Sequence, residues 1–488
     1  MVPDRLNRLS SRLHEEGIEH ALLSSFVSLR YFTGYQATVE LEPSPMTPVL
    51  GVFLWIRGEQ PTLYLADMEP GEGIDAMVLR ESFSSYVIEK PMFAVQDLSA
   101  KLVAKLRLLP ESKVAIESEE MPAALLDALR SECPHLEFCC IKDVLSTFRM
   151  VKDAEEIQTM REALALCDLG QEIAKQQATA GRTEIEILNS IRRAMETQEG
   201  GRVPIIADVV SGPRTALTGG PPSARKLEAG ELLIVDLVPR HRGYWGDSCN
   251  TCCAGDPRKE YREAFDGIAA VLSNAIGKVR PGIRACDLDS LVRTGIAKLG
   301  GSYPHHTGHG LGISWHEEPR IVPYNTIQLE PDMIIALEPG MYFEGGWGMR
   351  LEYILRVTAS GAEVLSKYRH ELKPIRMMRE AISEVGRAEL QPPWSLGICG
   401  RSPPWSAAAK LAPFAGRHEA NLVIRLLVCR QRCQLSTCRQ NGKAVASLPH
   451  SKARTKVPRA AGLKPLAEAT PIMSQTCDSW DSGFWRPM

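Results

Sequence analysis

Two carboxylates separated by eleven residues are the first groups in this sequence that could do chemistry. Asp236 follows the apolar segment 232–235, and Asp247 lies behind the next turn. A hairpin centred between His241 and Arg242 would place the two carboxylates opposite each other, with Cβ atoms about 5 Å apart. Such a pair is repulsive unless a cation lies between the two groups, so it predicts a metal site. The alternative is a solvated pair, which the apolar flanking residues disfavour.

A second pair of acidic residues repeats this arrangement. Glu338 follows the apolar segment 333–337, and Glu352 follows later, with Gly345 and Gly346 midway between them, as a hairpin turn requires. Either glutamate alone would more often be structural. The parallel between the two pairs favours a shared site.

A histidine-rich segment lies between the two pairs. His305, His306, His309 and His316 are four of the 11 histidines of the chain. Glycines on both sides of His309 permit close backbone approach. One histidine with four carboxylates is a hard, oxygen-rich ligand set. Its formal charge of about −4 would match two divalent cations, with a bridging hydroxide as the nucleophile.

The elements that must position these residues fall into two folded regions. Over residues 1–145, helical and strand-like patterns alternate, which is typical of an α/β domain. Leu6, Leu9 and Leu13 mark one face of a first helix. The predicted strands are 20–23, 49–55, 62–65 and 113–116, and a further helix covers 123–129.

Over residues 150–374 the predicted order is a helix pair, strands, a second helix pair and strands. The first two helices begin near Ala154 and at Thr183, where a Thr-x-x-Glu capping box starts the helix. The second pair covers 262–279 and 286–299. The repeated order indicates an internal duplication of elements rather than of residue identity. The predicted strands are 231–238, 244–253, 333–338 and 349–357.

Length and composition exclude several classes of protein. A chain of 488 residues is expected to form two or three domains. Its net charge of −2 gives no overall attraction to nucleic acid or to an anionic membrane. No apolar run approaches the ~20 residues that span a bilayer. The odd number of cysteines, 13, and a start unlike a signal peptide predict reduced thiols in the cytoplasm.

The last part of the chain, residues 375–488, has a different composition. It carries 17 Lys and Arg against 7 Asp and Glu, and its apolar pattern is weak. We interpret it as a disordered basic tail. Two alternatives are an interaction tail for an acidic partner and a segment that is not a selected sequence at all.

The spacing of the candidate residues resembles the pita-bread metallopeptidases, the superfamily of Xaa-Pro aminopeptidase, prolidase and methionine aminopeptidase. The shared pattern is Asp, eleven residues to Asp, Gly-His-Gly, His-Glu-Glu-Pro, Glu-Pro-Gly and Arg-Leu-Glu, with all five metal-ligand positions filled in order. Residues 27–34 and 148–157 resemble the creatinase-type N-terminal domain and its boundary. The resemblance implies an α+β fold: a creatinase-like α/β domain over 1–145, then a pita-bread catalytic domain over 150–374 with an internal pseudo-two-fold duplication.

The resemblance also implies a role for each ligand. Asp236 would bind one metal ion, and Asp247 and Glu352 would bridge both ions. His309 and Glu338 would bind the other ion. These assignments rest on the family pattern and not on the spacing alone.

Catalytic roles outside the ligand set follow from the same resemblance. His316 would stabilise the tetrahedral intermediate, a contribution of about 3 kcal/mol for such a donor. His305 would lie near the substrate, and Glu338 would also help to shuttle a proton. Arg350 would orient the Glu352 carboxylate.

The implied function is hydrolysis of the N-terminal peptide bond of short peptides, preferring Xaa-Pro, by a metal-bridging hydroxide. The two-domain layout is similar to the proline-specific branch, and it leaves open whether the enzyme is an aminopeptidase or a dipeptidase. Mn²⁺ is the first choice for the two ions, and Co²⁺ or Zn²⁺ could substitute. Family analogy implies a homodimer, with a short peptide as the expected partner.

One departure from the family keeps other functions open. Within residues 211–221 the family usually has a substrate-facing histidine, and this chain has Gly219 at that place. A non-catalytic binding protein is one alternative, favoured by Gly219 and by the basic tail. A metal-independent, creatinase-like hydrolase is another, which the five intact ligand positions disfavour.

Overall fold

The structure, a computed structural model, describes residues 2–37, 51–89, 91 and 93–373. An α/β region comes first along these residues, and a region of helix pairs and antiparallel strands follows. This organisation agrees with the predicted α+β fold. The tail 375–488, and with it the prediction of a disordered segment, lies outside the described residues.

The first region is built around a six-stranded mixed sheet. The first helix buries the predicted stripe of Leu6, Leu9 and Leu13. The helices are α1 (Val2–Glu15), α2 (Phe26–Thr33), α3 (Ala94–Leu106), α4 (Ala123–Glu132) and α5 (Lys142–Phe148). The strands are β1 (His20–Leu23), β2 (Gly51–Ile56), β3 (Thr62–Ala66), β4 (Leu79–Phe83), β5 (Ser112–Ile116) and β6 (Leu136–Cys140). Their order in the sheet is β4-β3-β2-β1-β5-β6.

The second region contains two helix pairs. Capping boxes at Asp153 and Thr183 start the first two helices, because each side chain accepts from a backbone N–H that would otherwise lack a partner. The Thr183 box is the one that the sequence predicts. The helices are α6 (Ala154–Gln177), α7 (Glu184–Glu199), α8 (Lys259–Ile276) and α9 (Ala285–Ala297).

Antiparallel strands follow each helix pair, as predicted. The first set is β7 (Ile205–Ser211), β8 (Leu232–His241), β9 (Tyr244–Trp245) and β10 (Ser248–Cys253). The second set is β11 (Gly308–Gly310), β12 (Glu317–Ile321), β13 (Ile334–Leu337), β14 (Gly340–Tyr342), β15 (Gly348–Arg350), β16 (Tyr353–Val357) and β17 (Ala362–Val364). Helix α6 packs on β8 and β10, and α9 packs on β12. The helices thus cover strands that carry the candidate residues.

The register of the first hairpin differs from the prediction. Asp236 pairs with Cys249 and not with Asp247. The turn lies at Arg242 and Gly243, which both have positive φ, so the centre of the hairpin lies one residue later than predicted. The same register places Asp247 opposite the second residue after Asp236. Because side chains alternate with a period of two, both carboxylates still share one face.

The register of the second hairpin is as predicted. Strand β14 pairs with β15 through Gly340 and Arg350, and β13 pairs with β16 through Leu337 and Tyr353. Glu338 and Glu352 stand at matching positions in the short gap between these two ladders. The predicted pairing of the two glutamates is therefore confirmed.

Candidate metal centre

Residues from both hairpins and from the Gly-His-Gly segment meet at one point in the interior. Ligand atoms of Asp247, His309 and Glu352 all lie within 4.8 Å of one another, and the three side chains are buried. Glu338 adds a fourth group, since its Oε1 lies 3.6 Å from Nε2 of His309. Oδ2 of Asp247 lies 3.7 Å from the same nitrogen. Four of the five predicted ligands are thus assembled around the His309 ring.

Glycines beside His309 allow three strands to meet at this point. Strand β11 runs between β12 and β13. A Cβ on Gly308 would collide with the carbonyl group of Ala336, and one on Gly310 would collide with that of Glu318. Only residues without a side chain fit there. The Gly-His-Gly motif therefore places the imidazole between two tightly packed neighbours.

The hydrogen bond of His309 fixes which nitrogen faces the acidic groups. Its Nδ1 lies 2.9 Å from the carbonyl oxygen of Gly310. A carbonyl oxygen only accepts, so Nδ1 carries the proton and Nε2 presents a lone pair. Burial lowers the pKa of His309 to about 4, which keeps the ring neutral. A lone pair directed at two carboxylates is repulsive without a cation, and it is the arrangement of a metal ligand.

The carboxylates themselves are destabilised in their charged form. Burial is the largest cause: it raises the pKa of Asp236 to about 6 and the pKa values of Asp247 and Glu352 well above their ordinary range. Neighbouring carboxylates add to the effect for Asp247 and Glu352. For Asp236, the positive charge of Arg350 partly offsets it. Bound cations would stabilise all three as carboxylates.

Arg350 contacts a different carboxylate from the one expected. Its Nη2 lies 2.5 Å from Oδ2 of Asp236, and its Nη1 donates to the carbonyl of Thr218 and to the hydroxyl of Tyr342. The prediction that Arg350 orients the Glu352 carboxylate is therefore wrong. The long side chain reaches across to strand β8 instead of along its own strand. Arg350 therefore holds Asp236, the ligand that lies outside the tight cluster.

Glu338 is held in its charged form by histidines. Nε2 of His306 lies 2.8 Å from Oε1 of Glu338. Burial alone would raise the pKa of Glu338, but the contact with His306 outweighs it and brings the pKa well below its usual value. His306 is one of the four clustered histidines of the sequence, and no role for it follows from the pattern. The position of His306 between His305 and the Gly-His-Gly motif was the signal in the sequence that could have indicated a role.

His305 lies in a hydrogen-bonded chain behind the ligands. Its Nδ1 lies 2.8 Å from the carbonyl of His306, so Nε2 accepts from the hydroxyl of Tyr342, 2.9 Å away. Arg350 donates to the same hydroxyl over 3.1 Å. Sequence reasoning missed Tyr342, and its place four residues after Glu338 was the only hint. These hydrogen bonds connect His305, through Tyr342, to Arg350, which holds Asp236.

His316 lies beside the cluster, as expected. Its ring centroid is 4.0 Å from that of His309, and it stacks on Trp315 with centroids 4.4 Å apart. Burial is the largest cause that lowers the pKa of His316 to about 3. A neutral ring still has one N–H to donate. Its role toward an intermediate stays a prediction.

The residues present fit divalent cations. The carboxylates and the neutral Nε2 of His309 are ligands that Mn²⁺, Co²⁺ and Zn²⁺ accept. Oε1 of Glu338 is buried and accepts no hydrogen bond of regular geometry, so it has room for a further partner. His306, His309 and His316 form a second group whose ligand atoms lie within 4.8 Å of one another. Strand β10 carries Cys249, Cys252 and Cys253, which are buried free thiols and belong to neither group of possible metal ligands.

Comparison with known proteins agrees with this geometry. Residues 158–359 match metallopeptidase family M24, and residues 5–151 match the creatinase/prolidase N-terminal domain. The Xaa-Pro dipeptidase of Pyrococcus horikoshii is 27% identical over 374 residues, which are 76% of this chain and 99% of that protein. A similar relative is the Xaa-Pro dipeptidase of Pyrococcus furiosus, 27% identical over 373 residues, 76% of this chain and 100% of that protein.

Solved structures show the same fold. The prolidase from Pyrococcus horikoshii superposes with a TM-score of 0.66 at 26% identity, over 76% of this chain and 99% of its own. The X-Pro aminopeptidase from Thermotoga maritima gives 0.64 at 25% identity, over 75% of this chain and 98% of its own. The chain therefore contains a domain of metallopeptidase family M24 over residues 158–359, preceded by a creatinase/prolidase N-terminal domain over residues 5–151. Among the described residues, no helix has the length and hydropathy of a membrane span.

Proposed function

We propose that this protein hydrolyses the N-terminal peptide bond of short peptides, preferring Xaa-Pro bonds, with two divalent metal ions. The observation that carries the proposal is the convergence of Asp247, His309 and Glu352 within 4.8 Å, in the protein interior. Buried carboxylates around a lone pair of a neutral imidazole have no evident structural use, because their mutual repulsion destabilises the fold. The names of the relatives support the same substrate class.

Five residues would hold the ions: Asp236, Asp247, His309, Glu338 and Glu352. When bound, two such cations would polarise the scissile carbonyl group and lower the pKa of a water molecule to make it a nucleophile. Mn²⁺ is our proposal for the native metal.

The chain's own residues would perform the remaining steps. Glu338 is charged and buried, so it is placed to accept a proton from the attacking water and pass it to the leaving amine. The neutral His316 would donate its N–H to the carbonyl oxygen as negative charge develops there. Arg350 would keep Asp236 in position through its contact with Oδ2.

A dipeptidase also needs a cation for the free carboxylate of its substrate, and Arg320 on β12 is our candidate. It lies on the strand that pairs with β11, the strand of His309. Its guanidinium has no hydrogen bond or ion pair within the described residues. Arg320 therefore supports a dipeptidase more than an enzyme for long peptides.

Arg320→Met is expected to weaken binding of Ala-Pro by about 10- to 100-fold, the value of a charge-assisted contact. The amide Ala-Pro-NH₂ lacks the carboxylate, so its kcat/KM should change less than threefold. Steady-state kinetics on both substrates check this. Equal losses on both substrates would contradict the assignment of Arg320 to the substrate carboxylate.

The proposed function is tested with the full chain loaded with Mn²⁺. We expect release of alanine from Ala-Pro, complete loss of turnover with EDTA and recovery on adding Mn²⁺ back. Ala-Pro-Ala separates dipeptidase from aminopeptidase, and Met-Ala-Ala tests the need for proline at the second position. Free amino acids are measured by chromatography, and bound metal by plasma mass spectrometry.

The alternatives give different results in this assay. Turnover that persists without metal would support a creatinase-like hydrolase. Two bound ions without turnover of any peptide would indicate another substrate class. Neither bound metal nor turnover would favour the non-catalytic binding protein.

A further inference from the structure

A fifth carboxylate lies beside the proposed ligands and none of the proposed steps uses it. Asp208 on β7 is the register partner of Asp236 on β8. Register partners point to the same face of a sheet, with Cβ atoms about 5 Å apart. The carboxylate of Asp208 therefore stands next to the ligand that Arg350 holds. It has apolar neighbours on both sides in the strand Ile205–Ser211, and it is only partly buried.

The loop that follows β7 is shaped around this side chain. A Cβ built on Gly219 would collide with Oδ2 of Asp208. The absence of a side chain at position 219 is thus what lets the carboxylate lie there. The neighbouring Thr218 adopts the left-handed conformation, with φ of 70°, and its carbonyl accepts from Arg350. The loop is in this way tied to the group that holds Asp236.

Among the residues that the structure describes, Asp208 has no cationic partner of its own. Arg350, the nearby cation, directs its donors to Asp236, Thr218 and Tyr342. Within the part of the chain that the structure describes, no hydrogen bond or ion pair engages the Asp208 carboxylate. The two proposed cations would balance the four ligand carboxylates. Arg350 directs its positive charge at Asp236, so the Asp208 carboxylate at the edge of the site has room for a cationic partner of its own.

The proposed substrate carries a cationic group that would pair with the Asp208 carboxylate. An enzyme that cleaves only the first peptide bond must recognise the free α-ammonium group. Arg320 lies on β12, which pairs with the strand of His309, whereas Asp208 pairs with Asp236 on β8. The two charges thus have the order that a dipeptide with a charged group at each end requires.

We infer that Asp208 receives the free α-ammonium group of the peptide substrate and that Gly219 makes the space in which it does so. The inference rests on the proposed function, and it names a specificity residue that the ligand pattern does not contain. Asp208 would contact the α-ammonium group and not the peptide bond that is cleaved.

Asp208→Asn keeps the shape and removes the charge. We expect KM for Ala-Pro to rise about 10- to 100-fold, with kcat within threefold of wild type. N-propionyl-proline is Ala-Pro without its amino group, and its inhibition constant should stay within twofold. Bound metal should remain at two ions per chain. Glu363→Gln, the same change on the distant strand β17, should alter none of these values.

Gly219→Ala is an independent second variant, because it keeps the charge and displaces the Asp208 side chain. It should raise KM for Ala-Pro at least about 10-fold and leave the inhibition constant of N-propionyl-proline unchanged. If Asp208→Asn fails to fold, this variant still tests the inference.

Three results would overturn the inference. The first is an unchanged KM for Ala-Pro in both variants. The second is a parallel loss of affinity for N-propionyl-proline, which would indicate a general change of the pocket. The third is a loss of bound metal in Asp208→Asn, which would make Asp208 a metal ligand. If the wild-type chain is inactive, the proposed function fails, and calorimetric binding of uncleaved Ala-Pro to wild type and Asp208→Asn decides the inference.

Discussion

Asp247→Asn and Glu352→Gln are each expected to lower kcat/KM for Ala-Pro by more than about 10³-fold, because each removes a ligand proposed to bridge two cations. A bound cation is worth several kcal/mol of transition-state stabilisation, and each 1.4 kcal/mol is a factor of ten in rate. Both side chains are buried, so water cannot replace the lost oxygen freely. Bound metal should fall below two ions per chain, as measured by plasma mass spectrometry on the dialysed protein.

The stability of the metal-free protein provides a second readout. Burial and neighbouring carboxylates disfavour the charged form of both residues. Without metal, the neutral amides should therefore cost no stability, and Tm should stay equal to that of metal-free wild type or rise. With Mn²⁺ added, wild type should gain Tm and the variants should gain less, since ligands stabilise the state that binds them.

Glu363→Gln is the matched control, because it makes the same change from carboxylate to amide on β17. Glu363 is partly exposed and pairs with Arg161 and Arg356. Its metal content and turnover should equal those of wild type. If Asp247→Asn or Glu352→Gln retained two tightly bound ions and full turnover, the ligand assignment would be wrong.

The matching positions of Glu338 and Glu352 could be predicted because the information for them is local. Glu338 and Glu352 each end an apolar strand, and two glycines mark the turn midway, so the register follows from counting residues. The same reasoning gave the wrong partner for Asp236. There the turn requires positive φ at Arg242 and Gly243, and a turn centred between His241 and Arg242 overlooks the preference of Gly243 for that conformation.

Contacts between distant segments were beyond sequence reasoning. Arg350 reaches Asp236 across 114 positions, and Asp208 is brought to the site only by the pairing of β7 with β8. The hydroxyl of Tyr342 contacts two side chains, His305 and Arg350, that lie far from each other in the sequence. Spacing along one strand predicts which face a residue occupies. It does not predict which other strand supplies the neighbour.

Lys152 and Glu317 form a buried ion pair that joins the helix-pair region to the histidine segment. Loss of this pair is the second change for which we expect a large effect. Nζ of Lys152 lies 3.0 Å from Oε2 of Glu317, and both side chains are almost fully buried. The other oxygen of Glu317 accepts from the backbone N–H of Ser314 over 3.0 Å. Glu317 therefore holds the loop that carries His316.

Lys152→Met is expected to destabilise the protein by about 3 kcal/mol, because it removes the closest cation of a buried carboxylate and leaves only the longer contact of 3.4 Å to Nε of Arg149. Such a loss corresponds to a fall in Tm of about 5–10 °C. Scanning calorimetry of the full chain measures it. Arg161→Met is the control: it breaks a partly exposed pair with Glu363, for which a loss below about 1 kcal/mol is expected.

The double variant Lys152→Met with Glu317→Met separates stability from positioning. Replacing a buried ion pair by apolar side chains is often neutral, so Tm should recover most of the loss seen in Lys152→Met. The Ser314 N–H, however, loses its acceptor in the double variant, and the His316 loop loses its anchor. We therefore expect kcat for Ala-Pro to stay about 10- to 100-fold below wild type with two metal ions still bound, as for other residues that orient a catalytic group. Recovery of both Tm and kcat would show that Glu317 contributes only to packing.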